Sequence, residues 1–180
     1  ADGKVVFAGP HNQAKIEDAD ALVDLGGRAL IPGLIDSHTH IVFAGDRMDE
    51  MARRTRGETY EEIAKAGGGI VRSVEALRQT AFDEIVTQSQ KRLHHMLTRG
   101  TTTIEIKTGY GLEPELENLQ LDVIDKLRER ASDNTIFATA LAHVIPPHRR
   151  DNRQEYIDEF CREVLEPAAL NKRVQFCDVF

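Results

Sequence analysis

From Leu34 onward the apolar positions switch repeatedly between a period of two and a period of 3.6. Leu34-Ile35-Asp36-Ser37-His38-Thr39-His40 and Thr101-Thr102-Thr103-Ile104-Glu105-Ile106-Lys107 are short, rich in β-branched residues and alternating, which predicts strands. Between them Ile85, Val86, Ser89, Leu93, Met96 and Leu97 share one helical face, with Arg99 in the last turn and Gly100 placed to stop the helix. Pro114 suits the first position of a second helix, whose apolar face is Leu116, Leu119, Val123, Ile124 and Leu127. A third strand is predicted over residues 136–141. Asp151 is expected to cap a helix carrying Ile157, Phe160, Cys161, Val164 and Leu165 that breaks near Pro167, and a fourth strand covers residues 174–180. Alternation of this kind predicts an α/β fold of βαβ units around a parallel sheet, and four such strands make half of an eight-stranded TIM-like barrel.

The first stretch has a different grammar. Three short apolar runs, residues 5–8, 21–27 and 29–33, are punctuated by glycine and proline and read as strands. Residues 1–32 are therefore expected to be part of a small β-sandwich domain, and residues 33–180 the first half of a barrel. Ending inside an apolar strand, the chain is expected to be a piece of a longer protein. A half barrel would leave apolar strand and helix faces open to water.

Composition narrows the function classes. Hydrophobic residues make up 41% and charged residues 29% of the 180, and no apolar run approaches the roughly 20 residues that span a bilayer, so no membrane partner is expected. The polar start has no secretory pattern, which makes a cytoplasmic setting the expectation. Cys161 and Cys177 lack metal-ligand spacing and are expected to be reduced thiols. A formal charge of -7 with scattered Lys and Arg argues against a nucleic-acid surface, leaving small-molecule chemistry.

The sharpest chemical signal is His38-Thr39-His40, because side chains two apart on a strand project to one face and can converge on one ion. Imidazole pairs of this sort suit zinc or iron. Alternation also puts Asp36 on that face, where it would orient a ligand or simply pack. Gly67-Gly68-Gly69 lacks the Gly-Lys-Ser/Thr ending of a phosphate loop and reads as a flexible rim loop. On the residues alone Arg47 could equally pair with Asp46 or Asp49, Tyr110 could be a packed loop aromatic, and His143 a core histidine. His11, His94, His95 and His148 fall at polar positions and are given no role.

The run Pro32-Gly33-Leu34-Ile35-Asp36-Ser37-His38-Thr39-His40 resembles the first barrel strand of the metal-dependent amidohydrolase superfamily. Phe43-Ala44-Gly45-Asp46-Arg47, Glu58-Thr59-Tyr60-Glu61-Glu62-Ile63 with the triple glycine, and Glu105-Ile106-Lys107-Thr108-Gly109-Tyr110-Gly111-Leu112 are similar to the imidazolonepropionase family within it. The resemblance covers essentially the whole chain. It implies hydrolysis of the cyclic amide of 4-imidazolone-5-propanoate to N-formimidoyl-L-glutamate, in histidine degradation. It further implies His38 and His40 as ligands of one zinc or iron ion, with Arg47, Tyr110 and His143 contacting a substrate that bears a carboxylate. Arg47 would grip that carboxylate through two nitrogens. These residues follow the first three strands, so they would share the C-terminal rim where barrels of this type work. Lys107 does not match the metal-bridging lysine of some relatives, which favours a mononuclear site. The resemblance places the remaining ligands and the general base beyond residue 180, so no catalytic residue is expected within these residues and the chain alone is expected to be inactive. A homodimer is also implied. The alternatives are another cyclic-amide or nucleobase hydrolase, or a module in which the two histidines bind metal only structurally.

Overall fold

The computed structural model describes residues 3–14, 20–131 and 133–180. The chain divides into two compact units, Ala1–Pro32 and Gly33–Phe180. In the first unit the described residues form a 3₁₀ turn, His11–Gln13, and a turn closed by Arg28 N–H donating to the Leu25 carbonyl. None of the strands expected at residues 5–8, 21–27 and 29–33 is present. A strand exists only as one side of a ladder, and Val5, Val6, Leu22, Val23, Leu30 and Ile31 stand exposed without one.

The second unit is α/β, the first four strands of a TIM-like barrel. Strands β1 (Leu34–Thr39), β2 (Thr101–Lys107), β3 (Thr135–Ala142) and β4 (Phe176–Val179) lie side by side in chain order, every pair parallel. The crossovers carry the predicted helices α4 (Phe82–Leu97) and α5 (Pro114–Arg130). Ile104, Ile106 and Ala138 face outward from the sheet into a core shared with Ile85, Val86 and Leu93 of α4 and Leu121, Val123, Ile124 and Leu127 of α5. Each fully buried side chain of this kind contributes about 1.5–3 kcal/mol.

The other face of the strands is polar. Lys107 Nζ lies 2.9 Å from Asp178 Oδ2 on β4 and 3.2 Å from Glu105 Oε1, while the Thr139 hydroxyl donates to the Glu105 carboxylate. Burial works against the Lys107 charge, but the hydrogen bonds to Asp178 and Glu105 outweigh it and hold its pKa up. That paired ammonium ties β2 to β4 across β3.

Three helices outside the predicted elements fill the long connection after β1: α1 (Met48–Thr55), α2 (Tyr60–Lys65) and α3 (Ile70–Gln79). Thr59 and Glu62 form a reciprocal capping box at the start of α2. The triple glycine is a packed turn between α2 and α3: Gly69 N–H donates 2.9 Å to the buried Glu50 carboxylate, and a Cβ at Gly68 would strike Ile63.

The helix after β3 also departs from expectation. A 3₁₀ segment, Pro147–Asn152, contains Asp151, so that residue does not cap α6 (Arg153–Phe160). Nor does the helix break at Pro167. It passes through a π-helical stretch, Cys161–Leu165, into α7 (Glu166–Leu170), where Pro167 occupies the first turn. Proline has no N–H to donate, and a register change just before it removes the demand for one.

Candidate active site

β1 is interrupted where its histidines stand. Asp36 pairs with Ile104 and Thr39 with Ile106, so three steps along β1 match two along β2. Such a bulge re-aims side chains at a strand end. Asp36 does not reach a histidine ring; its Oδ1 accepts the backbone N–H of His38 at 3.3 Å. The His38 and His40 rings lie 5.4 Å apart, edge to face.

Past Thr39 the chain leaves the sheet, and its carbonyls need other partners. Arg92 of α4 donates to the Ile41 carbonyl at 3.0 Å and the Phe43 carbonyl at 2.8 Å, with its guanidinium 3.5 Å over the Phe43 ring. Gln120 of α5 donates 2.8 Å to the Val42 carbonyl. These bonds fix the segment that delivers Asp46 and Arg47.

The loop after β2 is held in the same manner. Glu117, fully buried on α5, accepts the N–H groups of Gly109 and Gly111 at 2.8 Å and of Leu112 at 2.7 Å. Burial pushes its carboxyl pKa up, and the hydrogen bonds from Thr108 and these amides pull against that. Gly109 has a φ of 104°, and a Cβ at Gly111 would meet the backbone at the start of α5, so both flanks of Tyr110 need glycine. The result sets the Tyr110 ring 4.9 Å from His40.

A pocket of about 320 Å³ brings His40, Arg47 and Tyr110 together with Phe43, Gly45 and Arg72. His143, just past β3, stands beside it with its ring 6.1 Å from His40 and 6.0 Å from Tyr110, and its Nδ1 is 3.1 Å from the Gly109 carbonyl. The same histidine lines a neighbouring groove with Phe180. His38 lines neither cavity and is exposed. Thus three of the five expected site residues line one pocket, His143 stands beside it, and His38 lies outside it on β1.

Burial, then the neighbouring His143 and His38, lower the pKa of His40 to about 4 against a backbone hydrogen bond with Thr108. Its Nδ1 is buried with no hydrogen-bond partner, the state of a ring nitrogen that has an electron pair to give. Among the described residues no group of three or more His, Cys, Asp or Glu side chains could hold a metal ion. The donor set present here fits as part of a coordination shell only, through His40 and His38.

No family model matches the chain. Whole-chain comparison is decisive: it is 41% identical over 180 residues to the imidazolonepropionase of Bradyrhizobium sp., 44% over 175 residues to that of Flavobacterium johnsoniae, and 40% over 180 residues to that of Hahella chejuensis. Over its whole length this chain is similar to the imidazolonepropionases. Those alignments take in 97–100% of the chain but only 42–45% of each relative, so it spans a little under half the length of the curated proteins it matches.

Beside that imidazolonepropionase likeness, the sequence reading passed over several residues that shape the pocket. Arg72 of α3 lines it, clamped by both oxygens of Asp49 at 2.7 Å. Glu50, Arg92, Glu117 and Gln120 hold its loops. Thr59-x-x-Glu62 was a readable signal for α2; nothing local marks the others.

Among the described residues no helix is long and apolar enough to cross a membrane.

Proposed function

We propose that the protein carrying this sequence hydrolyses the ring amide of 4-imidazolone-5-propanoate, giving N-formimidoyl-L-glutamate. The observation that supports this best is the pocket shared by His40, Arg47 and Tyr110 in a chain similar throughout to imidazolonepropionases. His38 and His40 would hold one zinc or iron ion, whose chemistry when bound is to acidify a water toward neutral pH and polarise the amide carbonyl. Arg47 anchors the propionate at one end of the pocket with a planar, charged fork. Tyr110 at the pocket wall and His143 beside it contact the substrate and limit how its ring can turn, which fixes the attacked carbonyl relative to His40. The neutral ring of His40 adds no positive charge to repel a cation at neutral pH.

The remaining metal ligands and the general base are proposed to lie outside these 180 residues. A homodimer is proposed with them. A cytoplasmic setting and the absence of a nucleic-acid partner belong to the same proposal, as does the division into part of a small β domain at 1–32 and a barrel half at 33–180.

The test is hydrolysis by the full-length protein of two cyclic amides, the imidazolone with its propionate arm and the same ring without it. Wild type should prefer the carboxylate-bearing ring by about 100-fold in kcat/KM, and Arg47→Ala should erase most of that preference. Equal rates on both rings, or turnover of a nucleobase instead, would assign the pocket to a different amidohydrolase.

A further inference from the structure

Glu50 lies in α1, three residues after Arg47, and it is among the few charged residues that the fold buries. Its Oε2 accepts from Arg47 Nε at 2.8 Å and stands 2.7 Å from Arg47 Nη2. Its Oε1 accepts the Gly69 N–H at 2.9 Å and lies 4.0 Å from Arg72 Nη1. A carboxylate buried to this degree is tolerated only with such partners. The pair is asymmetric: the Glu50 side chain is 5% exposed and the Arg47 side chain 36%. Glu50 thus occupies the side-on edge of the guanidinium, Nε and Nη2, and leaves Nη1 of a pocket-lining arginine outside that pair.

We propose that Glu50 is a positioning residue for carboxylate recognition: it orients Arg47 and locks that orientation to the triple-glycine turn. The inference rests on the reading of this pocket as the substrate site. A free arginine would sample many rotamers and would lose that freedom on binding, whereas one already held loses little. The Gly68 position belongs to the same device, because a Cβ there would lie 3.0 Å from Glu50 Oε1 and 2.6 Å from Ile63. Arg72, held by Asp49 at the pocket wall, places a second cation near the Glu50 carboxylate and balances its charge.

The experiment uses the full-length protein with Glu50→Gln, Arg47→Ala and the double variant, each first matched to wild type by thermal melting. Gln keeps the shape of Glu50 and one acceptor, so it tests the charge and the second acceptor without opening a cavity. Two readouts are taken: KM and kcat on 4-imidazolone-5-propanoate, and solvent exchange of the Arg47 Nε–H by nitrogen-resolved NMR. Glu50→Gln should raise KM about tenfold with kcat within about twofold, and the double variant should be no worse than Arg47→Ala alone. Arg47 Nε–H exchange should accelerate about tenfold in the Gln variant. A fall in kcat at unchanged KM, additive losses in the double variant, or unchanged Nε–H exchange overturns the proposal. If wild type does not open the imidazolone ring, the functional reading fails, and the exchange rate alone still decides whether Glu50 holds Arg47. A Gln variant that does not fold hands the decision to Glu50→Asp, whose shorter carboxylate should give the same KM rise and faster exchange.

Discussion

At the scale of single residues, burial beside His143 and His38 holds His40 neutral. Its pKa in the folded chain is about 4, against 6.5 for a free imidazole. Between those values the unfolded chain binds a proton that the folded chain refuses, so stability is full above about pH 6.5 and falls as pH drops toward 4. Metal-free protein should therefore show a thermal midpoint that declines through this window, and His40→Asn should flatten the decline; a wild-type midpoint constant from pH 7 to 4.5 would contradict the assignment. The histidine pair was legible because both donors fall within three consecutive residues. Arg72 was not: its partner Asp49 is 23 positions away, and no local pattern distinguishes a pocket arginine from a solvated one. Tyr110 and His143 became candidate site residues only through family resemblance, since their 6.0 Å approach depends on strand pairing across β2 and β3.

At the scale of elements, the two longest helices and the strands beside them were readable because their apolar faces are continuous and buried. The short helices α1 and α2 span only 8 and 6 residues and bury one residue each, Glu50 and Ile63, so no apolar face repeats often enough to stand out, and only the Thr59-x-x-Glu62 cap marks α2. Their stability comes from caps and ion pairs, the Thr59–Glu62 box and the Arg53–Glu58 pair among them. The helix after β3 shows the opposite failure, where a proline read as a terminator is absorbed by a π turn. Glu117 is the element-scale device that matters most to the site, since α5 holds the Tyr110 loop through it. Replacing it by alanine leaves three amide N–H groups without their acceptor, which should cost about 3 kcal/mol or more in chemical denaturation. Glu117→Gln, which keeps the volume and one acceptor, should cost less but still measurably; a Gln variant as stable as wild type would mean that the side chain's volume rather than its hydrogen bonds supports the loop.

At the scale of the whole molecule, the sheet order, the parallel pairing and the polar inner face carrying Lys107, Glu105 and Asp178 are those of a barrel's first half. Strand alternation announced this topology, whereas the first unit's expected strands are missing because a ladder cannot form without partners. Large apolar side chains stand exposed on the two outer strands, Leu34 and Ile35 on β1 and Phe176 and Val179 on β4, with Phe180 just after. Produced alone, the 180-residue chain should self-associate in sedimentation at micromolar concentration and bind a hydrophobic dye, and it should not turn over the imidazolone; a stable, dye-silent monomer would contradict the exposure of these strands. Asp178 contributes to cohesion by pairing with Lys107, whose hydrogen bond holds the Asp178 pKa below the usual carboxylate range. That contribution is present above the unfolded value and is lost as pH falls through the folded one.

The central claim is that the pocket of His40, Arg47 and Tyr110 belongs to a metal-dependent ring-opening hydrolase. The direct measurement is product formation from 4-imidazolone-5-propanoate by the full-length protein, before chelation, after chelation, and after zinc or iron is returned. Formation of N-formimidoyl-L-glutamate that disappears with chelation, returns with metal, and fails in His40→Ala is the predicted result. Turnover indifferent to chelation, or metal retained tightly with no ring opening, would contradict it.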